Sequence, residues 1–254
     1  MKSSAKRHSH ILSLLNDQGY VTVAELGGQL QVSEATIRRD LRNLEERHLL
    51  FRTHGGANPS GHRVFDQPVS EKAKLHAEEK ARIGAAAAAM IENNDSIILG
   101  SGTTVTQIAK HMHGKTNLSI VASSMNMAIE LLRLSDVQVY MLGGIVRRTS
   151  TSVVGPYAES MMREHACQKL FLGVDGIDLD HGFSTSNVLE AHLNKQMIAV
   201  AQETIVVTDS SKFGLRGFSR ICTLGDVDKI ITDKNILDVT IRQLEERGLE
   251  VICV

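Results

Sequence analysis

Ser33, Ala35, Thr36, Arg38, Arg39 and Arg42 crowd into ten residues of this 254-residue chain. At about 100° per residue, Ala35, Thr36, Arg39 and Arg42 share one face of a helix, with Arg38 on its flank. Ile37, Leu41 and Leu44 fall on the opposite stripe. That combination suits a helix laid in a DNA major groove. Arginine grips guanine edges or phosphates, and the methyls of Thr and Ala touch thymine. On this reading Thr36 and Arg39 face bases, while Arg38, Arg42 and Arg52 position the protein through phosphates. An arginine-bearing helix face also occurs as plain solvated surface, so the residues that follow matter. Leu49-Leu50-Phe51-Arg52-Thr53 is a β-prone run and His54-Gly55-Gly56 a permissive turn. Together they predict a wing from which Arg52 and His54 reach sugar-phosphate.

A second set of residues suits anion binding. Ile97-Ile98-Leu99 runs into Gly100-Ser101-Gly102-Thr103-Thr104. The glycines allow close backbone approach, a helix N-terminus aims free N–H groups, and the hydroxyls add donors. The loop is neither a Walker A motif nor a dinucleotide fingerprint, and such turns also hold Gly and Thr for local reasons. Further polar groups gather at other predicted strand ends: Ser123-Ser124-Met125-Asn126, Gly143-Gly144 with Arg147-Arg148 beyond, Asp175 in Gly173-Val174-Asp175-Gly176-Ile177-Asp178, and Lys212 in Thr208-Asp209-Ser210-Ser211-Lys212-Phe213-Gly214. A phosphate loop, a carboxylate for hydroxyls and a lysine suit a phosphorylated sugar or polyol. Each piece taken alone also reads as a turn, a cap or a surface charge.

The elements that must position these groups are legible in outline. Thr22 and Glu25 form a capping box, and Ser33 with Glu34 starts the next helix, which predicts a helix-turn-helix near 21–40. Gly27-Gly28 interrupts its first helix at about 0.8–1 kcal/mol each relative to Ala. Two of the three prolines lie just beyond Ala57 and predict a linker to about residue 70. A helix is expected over 71–91. Strands are then expected at 96–99, 118–122, 137–142, 169–174, 204–208, 229–232 and 249–254, and helices near 105–113, 126–134, 156–165, 188–202 and 236–247. Apolar strands separated by helices predict an α/β domain, a Rossmann-like and mostly parallel sheet covered on both faces. Ligands of such sheets bind at the carboxyl ends of the strands.

The run from Arg7-His8 through Thr36-Ile37-Arg38-Arg39-Asp40-Leu41 to Arg52-Thr53-His54-Gly55-Gly56-Ala57 resembles the DeoR family of bacterial transcriptional regulators. Ser101-Gly102-Thr103-Thr104, Leu142-Gly143-Gly144, Val174-Asp175-Gly176-Ile177, Phe183-Ser184-Thr185 and Asp209-Ser210-Ser211-Lys212-Phe213-Gly214 resemble its sensor domain, which is similar to ribose-5-phosphate isomerase. The resemblance implies a winged helix-turn-helix over 4–59, a linker over 60–74 and an effector domain over 75–254. Many members carry an acidic residue where this chain has Gly100. The family pattern implies a repressor of a sugar or polyol catabolic operon; the strand-end residues read above give Gly100, Ser101, Gly102, Thr103, Thr104, Asn126, Gly143, Gly144, Asp175 and Lys212 as the groups expected to hold its effector. An isomerase is the alternative; its Asp-Gly-Ala-Asp-Glu stretch stands here as Asp175-Gly176-Ile177-Asp178-Leu179, with Leu where a proton-moving carboxylate is needed. No catalytic residues are expected.

Composition is compatible with this reading. Hydrophobic residues make up 42% of the chain, enough for a real core without any Trp. Residues 1–57 hold eight Lys or Arg against six Asp or Glu, and the remainder holds 20 against 23. That mild contrast favours a few placed DNA contacts over a broad electrostatic footprint. Cys167, Cys222 and Cys253 are scattered without metal spacing, so reduced thiols, no metal and no cofactor are expected. With no apolar signal core or spanning run, cytoplasm is the expected location and no membrane partner is expected. The expected partners are double-stranded operator DNA, a phosphorylated effector and further copies of the chain, as a homodimer or homotetramer. The linker near 58–70 is expected to transmit the effector signal by changing the spacing of two DNA-binding domains.

Overall fold

The computed structural model describes residues 4–47, 49–53, 55–59 and 66–254. The chain begins with α1 (Ser4–Gln18), β1 (Val21–Thr22), α2 (Val23–Leu30), α3 (Glu34–Glu46), β2 (Leu50–Arg52) and β3 (Gly56–Pro59). The predicted capping box forms: Glu25 N–H donates to Thr22 Oγ1 at 3.1 Å, and Thr22 N–H donates to Glu25 Oε2 at 3.0 Å. Left-handed Gln31 ends α2, and Ser33 accepts from Thr36 N–H to start α3. Ile37, Leu41 and Leu44 close a core with Ile11, Leu15, Val23 and Leu26. Buried Asp40 ties α1 to α3 by accepting from Arg7 at 2.8 Å and His8 at 2.9 Å. β3 lies between β1 and β2 in a small antiparallel sheet. Asn58 and Pro59, expected in the linker, are therefore strand residues.

The expected helix over 71–91 is broken. A short helix α4 (Val69–Lys72) is separated from α5 (Ala77–Ala89) by a turn through left-handed His76. Next come β4 (Ser96–Leu99), α6 (Thr103–His111), β5 (Leu118–Ala122), α7 (Met125–Leu131) and β6 (Val137–Met141). A hairpin of β7 (Ile145–Arg147) and β8 (Ser152–Val154) leads into α8 (Pro156–Arg163) and β9 (Cys167–Leu172). Then follow β10 (Gly176–Asp178), β11 (Gly182–Thr185), α9 (Val188–Val200), β12 (Ala201–Val207), β13 (Ser219–Cys222), β14 (Lys229–Thr232), α10 (Asp238–Glu245) and β15 (Glu250–Cys253).

Seven parallel strands form one sheet in the order β15-β14-β12-β9-β4-β5-β6. Alternate side chains of its central strands point to opposite faces. Ile97, Leu99 and Phe171 join Ile83 and Ile108 in one cluster, while Ile98, Leu170 and Leu172 join Met162 and Met197 in another. Both faces are thus buried, which is why these strands read as continuous apolar runs. From β4 the chain winds outward through β5 and β6, then returns to β9 on the other side of β4. The crevice beyond the carboxyl ends of β4 and β9 is therefore a topological switch point, the place such sheets offer a ligand. A second small sheet, β10-β11-β13, lies beside it and was not expected.

Candidate functional site

Two surfaces carry the residues singled out above. On α3, Ala35, Arg38, Arg39 and Arg42 are exposed and Thr36 is half-buried, opposite the Ile37–Leu41–Leu44 stripe. Their freedom differs. Arg38 is ion-paired to Glu34 at 2.8 Å one turn earlier, and the Thr36 hydroxyl lies 3.0 Å from Ser33 Oγ. Arg52 is committed to Glu45, through Nε at 2.6 Å and its backbone N–H at 2.9 Å. That pair fastens the wing to α3. Arg39 and Arg42 present exposed guanidinium groups. His54 lies outside the described residues.

The second surface is a cavity of about 470 Å³ at the β4/β9 switch point, within the usual size of small-molecule sites. Ser101, Gly102, Thr103 and Thr104 form one wall as the first turn of α6. The opening N–H groups of a helix have no intrahelical acceptor and favour an anion. Gly102 sits at φ +134, and a Cβ on Gly173 would stand 2.8 Å from Ser101 O. Only glycine lets these two strand ends approach so closely. Gly100 is buried behind the loop, where a Cβ would meet Phe171 O at 3.3 Å.

Asp175 and Lys212, both singled out in the sequence, line the same cavity. The fuller set of charged partners was not expected. Lys72 donates to Asp175 Oδ1 at 2.6 Å, and Thr185 Oγ1 and Ser186 N–H donate to Oδ2. Burial alone would push the Asp175 carboxyl up, but the ammonium of Lys72 and these bonds hold it at about 2. Glu190, set in the first turn of α9 by the Asn187 cap, accepts from Ser152 Oγ at 2.9 Å and is ion-paired to Arg147. Arg147 also reaches Asp66.

Buried Lys80, which also lines the cavity, donates to the carbonyls of Lys72 and Leu75, both at 2.6 Å, and lies 4.0 Å from Asp209. Burial lowers the Lys80 ammonium to about 8 despite the pull of Asp209. Asp209 would be raised by burial, yet Lys212 and the Ser211 hydroxyl keep it below the usual carboxylate range. Residues of the expected linker also line this space, among them Asp66, Val69 and Lys72, as do Tyr20 and Asn58 of the N-terminal domain.

Four expected ligand residues are not brought to the cavity wall: Gly100, buried behind the loop, and Asn126, Gly143 and Gly144. Asn126 is exposed on α7 because its helix turns that face to solvent. Gly143 N–H donates to Met161 Sδ at 3.2 Å. A Cβ on Gly144 would stand 2.7 Å from Val154 O, so both glycines serve the packing of the β7–β8 hairpin and α8. Glu190 was missed because one carboxylate in an apolar helix carries no local pattern; Ser184-Thr185-Ser186-Asn187 before it was the available signal. Among the described residues, no group of His, Cys, Asp and Glu is arranged to hold a metal, and no helix is long and apolar enough to cross a membrane.

Two known domain families match separate parts of the chain. The DeoR-like helix-turn-helix domain matches residues 7–60, and the DeoR C-terminal sensor domain matches residues 75–234. A putative aga operon transcriptional repressor of Escherichia coli O157:H7 is 38% identical over 257 residues, covering 99% of this chain and 94% of that protein. The glycerol-3-phosphate regulon repressor of Escherichia coli K12 is 31% identical, covering 90% of each. Among solved structures, ribose 5-phosphate isomerase from Plasmodium falciparum aligns with 57% of this chain and 52% of its own, at 16% identity and a TM-score of 0.39. With a DeoR-like helix-turn-helix over 7–60, a DeoR sensor domain over 75–234 and relatives matched along nearly the whole length, the chain belongs to the DeoR family of DNA-binding transcriptional regulators.

Proposed function

We propose that this regulator is a cytoplasmic repressor of a sugar or polyol catabolic operon, released from its operator by a phosphorylated sugar or polyol held in the switch-point cavity. One observation carries the reading: the open first turn of α6 and the lysines Lys72, Lys80 and Lys212 line one cavity at the sheet's switch point. The helix end and lysines suit a phosphate, and Asp175 and Glu190 suit hydroxyls. The names of the relatives, an aga operon repressor and a glycerol-3-phosphate regulon repressor, favour the same ligand class. The DNA-binding domain spans 4–59, the effector domain 75–254, and residues 60–74 join them while contributing Asp66 and Lys72 to the cavity.

Binding rather than catalysis is the better account of the carboxylates. A general base needs a free lone pair and a pKa near the working pH. Asp175 is held at about 2 by Lys72, and Glu190 is occupied by Arg147, Ser152 and Thr185. A thermal-shift screen of sugar and polyol phosphates tests the proposal. A true ligand at about 100 times its Kd adds about 2.7 kcal/mol of stability. Thr104→Ala and Lys212→Ala should weaken that ligand while leaving ligand-free operator binding nearly unchanged. Normal binding and normal release in both variants would move the pocket elsewhere.

A further inference from the structure

The cavity is closed partly by the DNA-binding domain itself. Tyr20, in the turn between α1 and β1, and Asn58 of β3 both line it. Asn58 is 2% exposed, and its Nδ2 donates to Ser211 O at 2.9 Å. Tyr20 packs edge-on against His76, with ring centroids 6.4 Å apart. Phe51 of the wing belongs to the apolar cluster of the sensor domain and not to the core of its own domain. Its ring covers Gly214 so closely that a Cβ there would stand 2.2 Å from Phe51 Cγ. Two of the three seams converge on one short stretch: Ser211 and Gly214 bracket Lys212, which lines the cavity, and Gly214 N–H is anchored to Ile177 O at 2.7 Å.

From this arrangement we infer that the effector site is completed by the DNA-binding domain, with Tyr20 and Asn58 as ligand-facing residues and residues 209–215 as the coupling element. The inference rests on the cavity being the effector site. An anion drawn onto Lys212 acts on the same short stretch, residues 209–215, that seats the wing, so a ligand reaches α3 through direct contact as well as through the chain joining the domains. Arg39 and Arg42 remain exposed in the docked arrangement. Docking therefore sets the direction in which α3 points and leaves its basic face uncovered. A ligand then favours one arrangement only by its differential affinity for the docked and released states.

Hydrogen exchange on the full chain, with inorganic phosphate and phosphate esters as probes, decides this. A probe whose thermal shift is lost in Lys212→Ala should change exchange over residues 17–23 and 50–59 by about fivefold or more, the lower end of ordinary coupling. In Phe51→Ala, exchange over 209–215 should rise without any probe, and the probe should still bind but no longer alter 17–23 and 50–59. Lys212-dependent binding with unchanged exchange at 17–23 and 50–59 in the wild type overturns the inference and leaves the cavity reading intact. Unchanged exchange at 209–215 in Phe51→Ala also overturns it. If no probe binds in a Lys212-dependent way, the cavity reading fails first and this inference falls with it.

Discussion

At the scale of single residues, Arg39 and Arg42 differ from Arg7, Arg38 and Arg52, which are engaged by Asp40, Glu34 and Glu45. Arg39→Ala should cost about 1–3 kcal/mol of operator affinity and blur preference at one base position, while Arg42→Ala should weaken all sequences alike and flatten the salt dependence. Gel shifts on randomised half-sites at two salt concentrations separate the two; intact affinity and preference in Arg39→Ala would rule out this docking. Lys80 supports a prediction about pH. Its ammonium, at about 8, faces Asp209 and shares its surroundings with Lys72, Lys212 and Glu79. A bound phosphate favours the charged lysine and raises that value back toward 10.5. The complex then holds a proton that the free protein has lost, so anion affinity should fall as pH rises above about 8. Calorimetry at pH 8.5 in two buffers of different ionisation heat should register proton uptake that disappears in Lys80→Met. Zero uptake in the wild type would show that the phosphate does not sense Lys80.

At the scale of elements, what was legible depended on whether a signal is local. The caps Thr22 and Ser33 and the stripe Ile37, Leu41, Leu44 fixed α2 and α3 because each rests on residues three or four apart. β4, β5 and β14 fall on their expected bounds because strands buried on both faces are uniformly apolar. The antiparallel sheet β10-β11-β13 was not legible. Its strands are three or four residues long, and β13 pairs with β11 across more than thirty residues. Asp66 and Lys72 were read as linker because a Pro- and Gly-bearing stretch does not reveal that its charges meet Arg147 and Asp175 in space. The glycine pair in α2 divides in two. A Cβ on Gly27 would meet Val32 O at 3.3 Å, whereas nothing lies within 4 Å of one on Gly28, which is exposed. Gly28→Ala should therefore stabilise the domain by about 0.5–1 kcal/mol. A urea midpoint that fails to rise would mean that Gly28 has a role outside the helix's own energetics.

At the scale of the whole molecule, one winged domain offers few base contacts, and two-fold symmetry doubles them on half-sites one or more helical turns apart. The sensor domain has a face suited to such pairing. β6 ends the parallel sheet with one side unpaired among the described residues. Around it stand Ile129 of α7 and Leu132 at its end, Tyr140 of β6, Ile145 and Val146 of β7, and Tyr157 and Met161 of α8, all exposed. Met161 touches Gly143, and Ile145 lies beside Gly155 at the start of α8, so the β7 and α8 members lie near one another. Monomeric surfaces rarely expose that many large apolar groups together, and a stable dimer buries about 800 Å² on each partner. The wild-type chain should therefore sediment as a dimer or larger at micromolar concentration. Ile129→Glu with Leu132→Glu should shift it toward monomer without loss of helical signal, because both side chains already meet solvent. The same variant should bind a single half-site about as well as the wild type and a paired operator at least tenfold more weakly, since the second contact is no longer tethered to the first. A monomeric wild type, with or without DNA, would sink the pairing, and an oligomer insensitive to both substitutions would place it on another face.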